Sequence, residues 1–121
     1  MLEIKGVKIG MTADEAIDKL GKPMSRDAAG MYFELSNGQA MQLALDDKKH
    51  VATLSMIYNG KKAGAPDFAE VFGKAVEPDE NENGTIFKRV RYSDLGIWVA
   101  YSRIGDKDNP MTTVTIQKIR H

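Results

Sequence analysis

Residues 13–22, Ala-Asp-Glu-Ala-Ile-Asp-Lys-Leu-Gly-Lys, and residues 65–74, Ala-Pro-Asp-Phe-Ala-Glu-Val-Phe-Gly-Lys, are two versions of one pattern: a short amphipathic helix closed by a large apolar residue and Gly-Lys. Three strand-like runs follow each version. Similarity at a period near half the chain marks a duplicated supersecondary unit. This doubling constrains the fold more than any other feature. A helix of about two turns does not persist alone, so each must lie on apolar surface that the strands supply. With 121 residues the chain is a single domain of two repeats, 1–60 and 61–121. The expected class is α+β: tandem helix-plus-three-strand units form one antiparallel sheet, with the helices on one face and the other face open.

Local signals place the elements. Leu2 to Ile9 alternates loosely around Gly6 and reads as a short strand, bent or bulged at the glycine. Thr12-Ala13-Asp14-Glu15 is a capping box. The helix it opens presents Ala13, Ala16, Ile17 and Leu20 on one face, and Gly21 and Pro23 stop it. Met31–Leu35 and Gln39–Leu45 flank Ser36-Asn37-Gly38, a hairpin signal because Asn and Gly tolerate positive φ. Val51–Tyr58 is a third strand, with Ala52, Leu54, Met56 and Tyr58 in one phase. Asn59–Ala65 is the linker. Pro66 suits the first turn of a second helix with Phe68, Val71 and Phe72 as its apolar face. Glu77–Gly84 is an acidic loop. Ile86–Ser93, Gly96–Arg103 and Thr112–Ile119 repeat the three strands. Phe33 and Leu35 match Val90 and Tyr92, Met41 and Leu43 match Val99 and Tyr101, and Leu54 and Met56 match Val114 and Ile116. One inserted residue, Leu95, is needed at the second hairpin.

If that phase packs under the helices, the opposite phase faces out. In the second unit it carries Phe87, Arg89, Arg91, Trp98, Ala100, Ser102, Thr113, Thr115 and Gln117. In the first it carries Tyr32, Glu34, Ala40, Gln42, Ala44, Thr53 and Ser55. Small residues around a few large ones make a face flat enough to accept another protein, and Trp, Tyr and Arg are the usual interface anchors. The candidate protein-binding residues are therefore Trp98, Arg89, Arg91, Tyr32, Thr113, Thr115 and Gln117. A lone tryptophan is by general burial statistics a core residue, and Trp98 could instead cap the sheet edge or lie under a loop. Its neighbours Ile97 and Val99 are the better core candidates by phase. Arg89 and Arg91 could simply solvate the sheet, or pair with Glu34 or the acidic loop.

Seventeen basic residues balance seventeen acidic ones. A neutral chain offers no general attraction to nucleic acid or to an anionic membrane. No apolar run approaches a membrane span. The absence of cysteine excludes disulfides, a thiol nucleophile and a thiolate metal site. His50 and His121 lack partners at metal-ligand spacing, and Asp79-Glu80-Asn81-Glu82-Asn83 lacks the spacing of a calcium loop. Neither a nucleophile elbow nor a phosphate loop occurs. No enzyme and no cofactor is expected. As written, with Met1-Leu2-Glu3-Ile4-Lys5 at its start, the chain reads as cytoplasmic, or as periplasmic if a signal sequence had been removed.

Gly10-Met11-Thr12, the helix after it and Leu20-Gly21-Lys22-Pro23 resemble the Gly-Met-Thr start and Leu-Gly-x-Pro stop of the SmpA/OmlA/BamE family of outer-membrane assembly lipoproteins. The second unit has Gly64-Ala65-Pro66 where that start would stand. The doubled helix-plus-three-strand pattern resembles the β-lactamase-inhibitor-protein group, in which two such units form one continuous sheet with helices behind and an inhibitory front. These resemblances imply a BLIP/BamE-like fold and a binding role. The functional expectation is a non-catalytic domain that inhibits or neutralises another protein, as a bacterial toxin's immunity protein does in a toxin-antitoxin pair. The alternatives are an envelope assembly scaffold of the BamE-like kind, and a small-ligand-binding protein using a cavity between helices and sheet.

Overall fold

The computed structural model describes residues 3–73, 76–77, 79–80 (backbone only), 85–105 and 109–119. Helix α1 (Ala13–Leu20) is followed by strands β1 (Ser25–Arg26), β2 (Gly30–Glu34), β3 (Gln39–Leu45) and β4 (Val51–Asn59). Helix α2 (Phe68–Phe72) is followed by β5 (Asp79–Glu80), β6 (Ile86–Tyr92), β7 (Ile97–Ile104) and β8 (Met111–Lys118). All strands join one antiparallel sheet in the order β1-β2-β3-β4-β8-β7-β6-β5. The last strand of each half thus pairs at the centre, and the two-residue strands lie at the rims.

The pleat sorts the side chains. Phe33, Met41, Leu43, Leu54, Met56, Val99, Tyr101, Val114 and Ile116 point to one side, and each is at most 2 % exposed. Ala13 and Ala16 of α1 and Val71 and Phe72 of α2 join the same buried cluster, so both helices cover this side. Burying such apolar side chains contributes roughly 1.5–3 kcal/mol each against a large chain-entropy cost. In α2, Phe68 packs tilted on Phe72 at 4.9 Å and edge-on to Tyr101 at 5.5 Å, a preferred geometry for ring quadrupoles. The Tyr101 hydroxyl donates to the Pro66 carbonyl at 3.2 Å. That bond ties the helix entry to β7, and burial pushes the Tyr101 phenol up.

The capping box forms as read: the Glu15 amide donates to Thr12 Oγ1 and the Thr12 amide donates to Glu15 Oε1, both at 3.1 Å. The Thr12 amide, with its hydroxyl, holds the Glu15 carboxyl below its usual range. Asn37 and Gly38 turn at φ 60° and 80°.

Four local expectations are corrected. Of the expected strand Leu2–Ile9, Leu2 lies outside the described residues and residues 3–9 are not a strand: Lys5 and Gly6 turn at positive φ, and Ile4 and Val7 exchange two backbone bonds at 3.0 and 2.9 Å. This miniature hairpin buries both apolar side chains. Ala52 is not in the core phase. Ala44 pairs with Thr53 and Leu45 with Val51, so Ala52 is the extra residue of a β-bulge and Val51 takes the core position. Pro66 lies before the N-cap, Asp67, and not in the first turn. The linker carries a 3₁₀ turn, Lys61–Ala63, pinned by the Gln39 Nε2 donor on the Ala63 carbonyl at 2.6 Å. Of the expected acidic loop, residues 78 and 81–84 lie outside the described residues, as do 106–108 of the last turn and His121. Asp79 and Glu80 pair with Phe87 and Ile86.

Candidate functional site

The sheet side away from the helices is built row by row across the strands. One row runs Gly30, Ala44, Thr53, Gln117, Trp98, Arg91. The next runs Tyr32, Gln42, Ser55, Thr115, Ala100, Arg89. A third runs Glu34, Ala40, Ile57, Thr113, Ser102, Phe87. From β2 to β6 these rows span about 24 Å at the usual strand spacing. Ser55 and Thr115 hydroxyls meet at 3.0 Å in the middle. Ala40 lies in this phase but is buried, its methyl set between Glu34 and Ile57 in the register.

The expected anchors separate into three places. Trp98 is in the outward phase, half-buried, with Arg91 and Gln117 directly opposite on its two neighbouring strands. The Arg91 guanidinium lies 5.5 Å from the indole centroid and that of Arg89 lies 4.4 Å from it. Arg89 reaches the ring diagonally because its direct partner, Ala100, is only a methyl. Each cation–π contact contributes about 0.5–1 kcal/mol at an exposed site, which favours one arrangement of the two long side chains. Thr113 and Thr115 form the half-buried centre. Tyr32 lies four strands from Trp98, about 19 Å away, so it does not share a cluster with the arginines. Neither arginine pairs with Glu34, which stands five strands away; elsewhere, His50 Nδ1 lies 3.9 Å from Asp46 Oδ1. There the His50 and Lys48 amides hold the half-buried Asp46 carboxyl below its usual range.

Sequence reasoning put Phe87 on this face but missed the rest of its apolar part. Ile104 and Met111 pair across β7 and β8 in the outward phase, and Ile57 sits in the row above them. Phe87, Ile104 and Met111 are 49 %, 42 % and 37 % exposed, and they are three of the five large hydrophobics that the described surface leaves open. The signal was available as strict alternation, since Ile104 follows Trp98, Ala100 and Ser102 at steps of two. A contiguous exposed apolar patch beside polar residues is the usual mark of an interaction site.

Over the other half lies a shallow groove of about 420 Å³ bounded by Ser25, Asp27, Tyr32, Gln42, Ala44 and Thr53. Asp27 Oδ1 accepts from the Ala29 and Gly30 amides at 2.8 and 2.9 Å, which shapes its rim. At Gly30 a β-carbon would collide with the Leu43 carbonyl oxygen, so glycine is required where β2 closes on β3. Among the described residues every buried side-chain nitrogen and oxygen has a partner, no helix is long and apolar enough to cross a membrane, and no three His, Cys, Asp or Glu gather as metal ligands. In comparisons with protein-family models, curated proteins and solved structures, nothing matches this chain.

Proposed function

We propose that the protein is a non-catalytic binding domain that inhibits or neutralises another protein by covering it with the open sheet face, as an immunity protein covers its toxin. The observation that carries this reading is the composition of that face. Helices cover one side of the sheet, while the other gathers Trp98, two arginines and the exposed Phe87, Ile104 and Met111. Six strands about 24 Å across and about 20 Å long give roughly 500 Å² of flat area. With side-chain relief and rim loops this approaches the roughly 800 Å² per partner of an ordinary stable interface.

The face is broad, on this reading, because the chain is a tandem of two units, and the strand registers support the doubling. The sequence alignment equates Leu54 with Val114 and Met56 with Ile116. Leu54 pairs with Ile116 and Met56 with Val114, so a half-turn about the Ser55–Thr115 pair exchanges these pairings. The same half-turn carries Met41–Met56 to Val99–Ile116, Leu43–Leu54 to Tyr101–Val114, and Phe33–Met41 to Val90–Val99. A similar doubled sheet is what the resemblance to the β-lactamase-inhibitor-protein group implies.

Steric blockade needs no chemistry from the blocker. The test is capture from the source cell by immobilised wild type, Trp98→Ala and the helix-side control Asp18→Ala, with the captured protein purified, rebound and assayed. Trp98→Ala, folded by circular dichroism, is expected to weaken binding by about 2 kcal/mol or more, and bound wild type to suppress the partner's activity. Equal binding by the Trp98→Ala chain would remove the face from the proposal.

A further inference from the structure

We infer that what docks on the β6–β7 end of the open face is an acidic, extended protein segment, with carboxylates two residues apart engaging Arg89 and Arg91 beside Trp98. This inference rests on the docking reading above and adds the chemistry of the partner. The chain as a whole is neutral, yet its charge is not spread evenly. Along the outward phase of β2, β3, β4, β8, β7 and β6 the charged residues are Glu34, Arg89 and Arg91. Glu34 stands five strands from the arginines, about 24 Å, well beyond the screening length of about 8 Å at physiological salt. Asp79 of the rim strand β5 is in register with Phe87, so the β6–β7 end carries two arginines against one acidic residue and is locally cationic on balance.

The two guanidiniums rest against one indole. A guanidinium has five N–H donors, and contact with one ring leaves donors that can meet a carboxylate in a bidentate fork. Arg89 and Arg91 are two residues apart on one strand face, about 6.7 Å along the chain. A partner in extended conformation has the same repeat, so acidic residues in alternation present one carboxylate to each arginine. Phe87, beside Arg89 along β6, gives the same segment an apolar contact.

Trp98 is the only tryptophan, so its emission reports this spot alone. The experiment titrates the full chain with the blocked peptide Thr-Glu-Thr-Glu-Thr-Glu-Thr, with its Gln-for-Glu twin, and with an oligothymidylate of equal charge. The Glu peptide is expected to change Trp98 emission saturably, to bind more weakly as salt is added, and to bind roughly tenfold more weakly to folded Arg89→Gln or Arg91→Gln. No saturable change, or equal binding of the Gln twin, overturns the inference. Equal binding of the oligothymidylate also overturns it, in favour of a general anion site. If the peptide fails while capture still depends on Trp98, carboxylate recognition is wrong and the docking face stands. If capture is indifferent to Trp98→Ala, the docking face itself falls.

Discussion

Leu54 and Ser55 are neighbours in the central strand, and the fold requires them to respond very differently to truncation. Leu54 is fully buried, between Leu43 and Ile116 in the register, on the helix side. Leu54→Ala removes three carbons, worth about 2.4 kcal/mol in transfer alone at about 0.8 kcal/mol each. The incompletely collapsed cavity raises the expected loss to about 3–4 kcal/mol, a large part of the roughly 5–15 kcal/mol that holds a domain folded. Ser55 points the other way and loses only its hydroxyl pair with Thr115. Because Thr115 can turn its hydroxyl to water on an open face, Ser55→Ala is expected to cost about 1 kcal/mol or less. Urea unfolding followed by circular dichroism, with m-values compared to confirm a shared transition, gives both numbers. Losses of similar size at the two positions would mean that both sides of the sheet are covered, and the layered arrangement would be refuted.

Three further outcomes test the local physics. Thr12→Ala is expected to destabilise the protein by about 1 kcal/mol through loss of the cap. Glu15, whose pKa is lowered by that cap, contributes stability present above the ordinary carboxylate range and lost as pH falls through its folded value, so the variant's acid-unfolding limb should be shallower than wild type. An unchanged limb would contradict the cap's role. Tyr101 has a pKa raised by burial, so its contribution is present below the ordinary phenol value and is lost as pH rises through the folded one. Tyr101→Phe should lose about 1 kcal/mol at neutral pH, from the bond to Pro66, and flatten the alkaline limb in a pH-stability scan. Gly30→Ala should cost about 1–3 kcal/mol by forcing β2 from the Leu43 carbonyl, and a melting temperature equal to wild type would exclude the close approach.

What the sequence made legible was set by short-range physics. Thr12-x-x-Glu15, Gly21 and Asn37-Gly38 each satisfy or turn a backbone by themselves, so α1 and the first hairpin could be read directly. Strict alternation in Gln39–Leu45 and Ile97–Ile104 gave the two faces, and with them the outward position of Trp98. Where one residue breaks the alternation the reading failed: the bulge at Ala52 is fixed by the pairing of Leu45 with Val51, a contact that no local pattern announces. The rim strands Ser25–Arg26 and Asp79–Glu80 are too short to carry any period. Ile57, Ile104 and Met111 went unnoticed because apolar residues are assigned to cores by default. Alternation alone would have put Ile104 on the side of Trp98, and the register brings Met111 and Ile57 to the same side. The groove beside Gly30 arises from loop relief around Asp27 and has no sequence signature.

The most direct test of the docking face is site-specific photocrosslinking in the source cell, with a photoreactive residue at position 115, at the centre of the open face, or at position 18, on the exposed side of α1. A discrete protein adduct from position 115 and none from position 18 is the expected result. An adduct from position 18 alone would place the partner on the helices and contradict the proposed function.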